Sequence, residues 1–126
     1  ISSDASIVEA AKKMKEKDVG SLLVLDSKHE IYAIATETDV VRKAVSEGKT
    51  DLKIGDVSTS PLLTVDASSD ISQAAKLMGE KNVKRLVASS AGKIVGIIST
   101  KDIVRISPSL YDLIAEKERV KAEIPV

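Results

Sequence analysis

The sequence contains no cysteine, no tryptophan and no phenylalanine, and only two tyrosines and three prolines. Without cysteine there is no disulfide framework and no thiolate metal centre, which fits a reducing compartment, so a cytoplasmic protein is expected. Tyr32 and Tyr111 are the only large rings, so a planar base would not be stacked between aromatics. It would lie between aliphatic side chains, with its edge read by backbone groups. The single histidine, His29, falls in a polar stretch between two β-rich runs, with no second histidine or activated-nucleophile motif beside it. It reads as a solvated surface residue, no metal site is expected, and the chain is read as a non-enzyme.

Net charge is also missing, because 19 basic and 19 acidic side chains cancel. No global field draws the chain to nucleic acid or to an anionic membrane. Lys76, Lys81, Lys84, Arg85 and Lys93 concentrate positive charge locally, but no aromatics interleave with them, so a solvated face is expected rather than a nucleic-acid surface. The longest apolar runs, residues 22–25 and 94–98, fall far short of the ~20 residues that span a bilayer. No signal peptide or membrane anchor is read. One Asn, one Gln and no Cys beside 30% charged residues lean toward a heat-adapted source.

What is present is a repeat. Ile7, Ala10, Ala11 and Met14 recur as Ile71, Ala74, Ala75 and Met78, and Thr36-x-x-Asp39-Val-Val-Arg42 recurs as Ser99-x-x-Asp102-Ile-Val-Arg105. The first set shifts by 64 residues (7 to 71) and the second by 63 (39 to 102), so the copies differ by one residue in a loop. In the first copy Ser6 and Glu9 read as a capping box opening a helix with an apolar stripe, and Met14 is expected in the core. Strands are expected over 21–25 and 31–35 as a hairpin, with Tyr32 read as strand packing. A helix follows over 37–46, ended by Gly48. The second copy has Asp70 and Gln73 as cap and partner, a helix to about Lys81 with Met78 in the core, strands over 85–89 and 93–98, and a helix from Thr100.

Residues 49–65 read as a short helical turn and then a strand, a leader belonging to the second copy. The first copy has almost no leader, since Ile1-Ser2-Ser3-Asp4-Ala5-Ser6 aligns with Leu63-Thr64-Val65-Asp66-Ala67-Ser68, and the chain lacks an initiating Met, so a fragment is expected. The expected division is 1–48 for the first repeat, 49–107 for the second and 108–126 for a final helix carrying Leu110, Leu113, Ile114, Val120 and Ile124 on an imperfect apolar stripe.

In each copy an apolar strand runs into a hydroxyl residue, two variable residues and an aspartate that opens a helix: Thr36-Glu37-Thr38-Asp39 and Ser99-Thr100-Lys101-Asp102. A capping box alone accounts for either copy. The same helix start also offers free N–H groups, a hydroxyl and the positive end of the dipole to a phosphate, with a carboxylate placed to accept from two ribose hydroxyls. Together those groups describe a nucleotide site.

The run Val95-Gly96-Ile97-Ile98-Ser99-Thr100-Lys101-Asp102-Ile103, preceded by Asn82-Val83-Lys84-Arg85-Leu86-Val87, resembles the cystathionine-β-synthase (CBS) domain, and the duplication resembles a CBS pair, or Bateman module. The resemblance covers the chain to about Ser107. It implies an α/β (α+β) fold, a tandem CBS-domain pair of two β-α-β-β-α repeats related by a pseudo-twofold axis. It also implies a regulatory module that binds adenosine derivatives (AMP, ADP, ATP or S-adenosylmethionine) in the clefts and requires no cofactor.

By that resemblance Ser99 and Asp102 match the phosphate-side hydroxyl and the ribose carboxylate, and Thr36 and Asp39 match them in the first copy. Lys101 and Thr38 precede the two aspartates. Leu62, Leu63, Thr64 and Val65 match the segment lining the adenine, and Lys84 and Arg85 match positions that reach a phosphate, although both also read as solvated charges. The second site keeps Gly96, Lys101 and a full leader. The first has Ala33 in place of the glycine, whose Cβ obstructs close backbone approach, and no cation before Asp39. The second site is therefore expected to bind an anionic adenine nucleotide in preference to the first. The resemblance further implies a homodimer through the helices after Thr36 and Ser99, acting on an unknown effector protein. The alternative is a ligand-free module that only dimerises or docks on a partner.

Overall fold

The computed structural model describes residues 1–110 and Ile114, arranged as two compact units, Ile1–Leu62 and Leu63–Val126. The final helix expected over 108–126 lies outside the described residues, apart from a 3₁₀ turn at Pro108–Leu110 and the buried, helical Ile114.

In unit 1, helix α1 (Ile7–Lys17) starts where the Ser6 hydroxyl accepts the Glu9 amide at 3.0 Å. The structure shows this serine half of the expected box. Ile7, Ala10 and Met14 lie on the buried face, as their spacing requires, whereas Ala11, expected on the same stripe, is exposed. The helix ends at Asp18, left-handed with φ 52°, and its equivalent Asn82 ends the second copy's helix in the same way. Asp and Asn tolerate that conformation better than other side chains. Strands β1 (Ser21–Leu25) and β2 (Ile31–Thr36) pair antiparallel, and Ser2 forms a parallel bridge to Leu25. His29 is exposed in the turn between them.

Beyond β2 the chain departs from the expected α-helix over 37–46. Helix α2 (Glu37–Asp39) passes directly into a π-helix, Val40–Val45, with the Ser46 amide donating to Val41 O and the Lys49 amide to Ala44 O across five residues. Its counterpart α5 (Thr100–Ile106) carries four β-branched residues against three over the equivalent residues 37–43 and stays α-helical, so side-chain crowding does not account for the difference. The two helices do differ at Lys43, whose ammonium bridges Asp39 and the carbonyl of Val57 where the second copy has Ile106. Gly48 closes the element with φ +67°, as expected.

Unit 2 repeats the plan. Strand β3 (Thr64–Asp66) pairs parallel with β4 (Arg85–Ser90), which pairs antiparallel with β5 (Lys93–Ser99), giving the order β3-β4-β5. Helix α4 (Ile71–Lys81) makes the crossover that parallel pairing demands, and α5 (Thr100–Ile106) follows β5. The expected Asp70 cap is not formed. The Asp70 carboxylate makes no capping bond, and the first turn closes through the backbone, the Gln73 amide donating to Asp70 O. The one-residue difference between copies lies in the hairpin, strands included, which spans residues 21–36 in unit 1 and 85–99 in unit 2. Met14 and Met78 are buried in their respective cores, and Tyr32 packs half-buried against the first.

The helical turn α3 (Ile54–Val57) forms where the leader was expected to have one, but its packing differs from the sequence division. Residues 49–62 fall within unit 1, so the packing boundary follows Leu62 rather than residue 48. The Ile54 amide donates to Ala5 O at 2.8 Å and the Gly55 amide to Ser3 O at 3.0 Å. Thr59 exchanges two backbone bonds with Ile34 on the outer edge of β2. Gly55 is required by this approach, since a Cβ there would meet Ser3 Cβ and O at 2.9 Å and the Tyr32 hydroxyl at 3.2 Å. Ile54 and Val57 are fully buried among Ala5, Ile7, Ala33, Ala35, Val40 and Ala44, each contributing about 1.5–3 kcal/mol by burial. Ile54→Ala is expected to cost about 2–5 kcal/mol in urea unfolding. Hydrogen exchange should then show β1 and β2 losing protection before β4 and β5. The reverse order would tie residues 49–62 to unit 2.

Candidate functional site

The candidate residues gather at the strand-to-helix junction of each unit. In unit 2, Ser99 ends β5 in extended conformation (φ −116°, ψ 165°), which turns its side chain across the first turn of α5. Its hydroxyl accepts the Asp102 amide at 3.3 Å and donates to Asp102 Oδ2 at 2.9 Å, and its own amide donates to the same oxygen at 2.8 Å. Arg105 Nη2 donates to Asp102 Oδ1 at 2.8 Å. The Thr100 amide is tied to Lys84 O at 2.9 Å. The helix start is therefore largely self-satisfied. Of the Thr100, Lys101 and Asp102 amides, only that of Lys101 lacks a partner among the described residues, where several free N–H groups were expected.

Four of the expected residues share this corner. Ser99, Lys101 and Asp102 lie at the helix start, and Arg85 stands directly opposite Ser99 in the β4–β5 register. Lys84 precedes Arg85 and holds the helix through its carbonyl. Lys84, Arg85 and Lys101 make no ion pair with a described residue, so this corner gathers three cationic side chains that the described carboxylates do not pair. Leu63, Thr64 and Val65 lie along the other side of β4, with Thr64 opposite Val87 and Leu63 O accepting the Val87 amide at 2.9 Å. Leu62 closes unit 1, apart from the three residues it was grouped with.

Unit 1 builds the same junction with different chemistry around it. The Asp39 amide donates to Thr36 Oγ1 at 3.1 Å, the Thr36 amide donates to Asp39 Oδ2 at 3.0 Å, and the Glu37 amide is tied to Gly20 O at 3.0 Å. Asp39 Oδ1 pairs with Lys43 at 3.0 Å. The Asp39 side chain is 10% exposed against 33% for Asp102. Thr38 is exposed and carries no charge to the site.

Two partners were missed in the sequence: Arg105, three residues after Asp102, and Lys43, four after Asp39. Both stand at the spacings at which helical ion pairs form, and that spacing was the available signal. A Cβ at Gly96 would meet nothing within 4 Å, so the fold itself does not demand glycine there and the space beside it is open, while the Ala33 Cβ sits in the buried core of unit 1.

A CBS-domain family model matches residues 1–46 and 54–109. An uncharacterized protein of Methanopyrus kandleri is 36% identical over 113 residues, covering 87% of this chain and 58% of that protein. One from Methanocaldococcus jannaschii is 30% identical over 120 residues, covering 92% and 64%. The chain thus spans less than two thirds of the length of both relatives, and their thermophilic archaeal origin fits the lean of its composition. The crystal structure of an uncharacterized conserved protein from Pyrococcus horikoshii superposes with a TM-score of 0.78 at 25% identity, covering 98% of this chain and 87% of that one.

The bonds to Asp102 have a pH consequence. The Ser99 amide, aided by the Ser99 hydroxyl and Arg105, holds its carboxyl below the ordinary value of 3.8 against the opposing effect of partial burial. A depressed folded-state pKa contributes stability that is complete above the unfolded value and lost as pH falls through the folded one. The stability difference between the wild type and Asp102→Asn, measured by urea unfolding, should be constant above roughly pH 4–5 and shrink below that. A difference that grows on acidification would contradict this account of the cap.

Proposed function

The chain belongs to the CBS-domain family, whose paired domains are generally regulatory and ligand-binding, and from that premise we propose that its second repeat senses an adenosine derivative: AMP, ADP, ATP or S-adenosylmethionine. The observation that carries the reading is the pairing, at one corner of unit 2, of an accessible Asp102 carboxylate with Lys84, Arg85 and Lys101, none of which forms an ion pair with a described residue. A carboxylate that accepts from vicinal hydroxyls beside cations that meet phosphate is the donor–acceptor set of a nucleotide. Leu63 and Val65 supply aliphatic surface for a base in a chain with almost no aromatics, and the open space at Gly96 leaves room beside β5. The ligand requires no cofactor and no catalytic group, in line with a regulatory rather than enzymatic role, and the cytoplasm is the pool from which it is drawn. Among the described residues no helix is long and apolar enough to cross a membrane.

The transmission step uses the helices themselves. Val41, Val45, Val104 and Ile106 are exposed on the helical segments after Thr36 and Ser99, and pairing of two chains through them makes a homodimer. Occupancy at the start of α5 then biases how that helix packs, which is the route to an effector protein. The same exposed residues favour the second reading, a ligand-free module that dimerises or docks through these helices.

A thermal-shift series with AMP, ADP, ATP and S-adenosylmethionine separates the two. A ligand at 100 times its Kd stabilises the folded state by about 2.7 kcal/mol and raises the Tm, whereas no shift with any of the four leaves the docking module. Isothermal titration of the binder should then show Asp102→Ala weakening affinity roughly tenfold or more, the scale of a lost charge-assisted bond, and Asp39→Ala weakening it less. The opposite ranking would overturn the assignment to the second repeat.

A further inference from the structure

The acceptor positions of Asp102 are nearly all taken. An ionised carboxylate offers about four lone-pair positions, shared equally between its oxygens. Oδ2 is filled from within the cap, by the Ser99 amide at 2.8 Å and the Ser99 hydroxyl at 2.9 Å. Oδ1 accepts Arg105 Nη2 at 2.8 Å, which leaves about one position open. The Ser99 hydroxyl is itself occupied, since it donates to Oδ2 and accepts the Asp102 amide. Two vicinal hydroxyls bring two donors to Oδ1, and both fit only when Arg105 leaves. The guanidinium is placed to do so. It sits on the last turn of α5 with its side chain exposed, and Asp102 is its one ion-pair partner among the described residues. The first junction lacks this freedom, because the Lys43 ammonium on Asp39 Oδ1 also donates to Val57 O.

We propose that Arg105 is the specificity-determining residue of the second site, restricting it to phosphorylated adenosine against the nucleoside, an inference that rests on the reading of Asp102 as the ribose acceptor. A ribose that takes both positions of Oδ1 turns Arg105 out of its pair. A phosphate on the same ligand gives the released guanidinium a new anion of matching fork geometry. Adenosine breaks the same pair and offers nothing in exchange. Ribose and phosphate recognition are therefore coupled through one side chain. Lys84, Arg85 and Lys101 act differently: they pair with no described carboxylate, so they attract phosphate without standing in the way of the ribose.

Titration of the 126-residue chain with adenosine and with AMP, ADP and ATP, followed through the amide NMR shifts of Lys101 and Asp102, tests this in the wild type and in Arg105→Met. The methionine keeps the aliphatic stem and removes every donor. The wild type should bind the nucleotides more tightly than adenosine. Arg105→Met should tighten adenosine roughly two- to fivefold, the scale of a released exposed pair, and weaken the tightest nucleotide about fivefold or more, so its preference over adenosine falls roughly tenfold. Arg105→Lys should keep part of that preference. Lys101→Met should weaken the nucleotide without tightening adenosine, as expected of a cation that blocks nothing. The proposal alone is overturned if a nucleotide binds, loses affinity in Asp102→Ala and yet keeps its full preference over adenosine in Arg105→Met. If no nucleotide and no adenosine moves these amides in either protein, the nucleotide reading falls and this proposal with it.

Discussion

The reciprocal cap between a hydroxyl residue and an aspartate three positions on fixes where each helix leaves its sheet, and the rest of each unit is arranged around that junction. Thr36 with Asp39 and Ser99 with Asp102 close the same small ring of bonds, and the next amide is pinned to the neighbouring strand through Gly20 O or Lys84 O. A cap of this kind stabilises by only about 1 kcal/mol, but it sets direction as well as energy. Once the angle is set, Val40 and Ala44 in one unit and Ile103 in the other face inward, and the carboxylate is held at the sheet's end beside the start of the preceding strand. The motif that looked like chemistry is thus fully used by structure. What makes one copy a candidate site is what the cap leaves over.

The second constraint is size. Two short helices leave part of a two- or three-stranded sheet uncovered, and unit 1 completes its core with residues that come after the repeat. The small buried side chains Ala5, Ala10, Ala33, Ala35 and Ala44 are what allow α1 and the α3 turn to approach the strands together. The matching parallel pairs Ser2–Leu25 and Asp66–Ser89 align the start of the chain by 64 residues, not by the 62 that set Ile1–Ser6 against Leu63–Ser68. At the equivalent positions unit 2 has Ser69, Ala74, Gly96, Ile98 and Ser107, and all of these except Ala74 are only partly buried. The copies keep the same fold while diverging in how the outer face of the sheet is finished.

Much of this was legible in the sequence because it is local. The apolar stripe of Ile7, Ala10 and Met14, the alternation through β1 and β2, and the Ser/Thr-x-x-Asp junctions each depend on neighbours within a turn or a hairpin, and each is found where the pattern places it. What was not legible concerns groups whose partners are distant or whose choice is nearly degenerate. Residues 49–62 read as the second copy's leader, in line with the family match from residue 54, and only the bonds to Ser3, Ala5 and Ile34 show that they pack in unit 1. Asp70 has the composition of a cap, yet a backbone bond from Gln73 serves the same amide end at similar cost. The π-helical segment carries Lys43, which reaches the carbonyl of Val57, a contact across 14 residues that no periodicity encodes. At the candidate site, residue types and the strand pairing of Arg85 with Ser99 were readable, whereas the occupation of the helix-start amides was not, because it depends on Lys84 O.

The difference between the two junctions bears directly on which can serve a ligand. For a carboxylate to accept new bonds from a sugar it must release or share the cation it holds. Asp102 holds Arg105, whose side chain is 76% exposed, and such a pair contributes no more than about 1 kcal/mol, so the guanidinium can swing into water or toward an arriving phosphate at little cost. Asp39 is enclosed, and the Lys43 that neutralises it also ties the π-helix to Val57 O. Withdrawing that ammonium would leave a buried charge uncompensated, the configuration proteins tolerate least, and would loosen the contact that holds α3. The first junction therefore reads as the framework of its unit, and the second, built from the same residues with a looser partner, remains free to exchange that partner for a ligand.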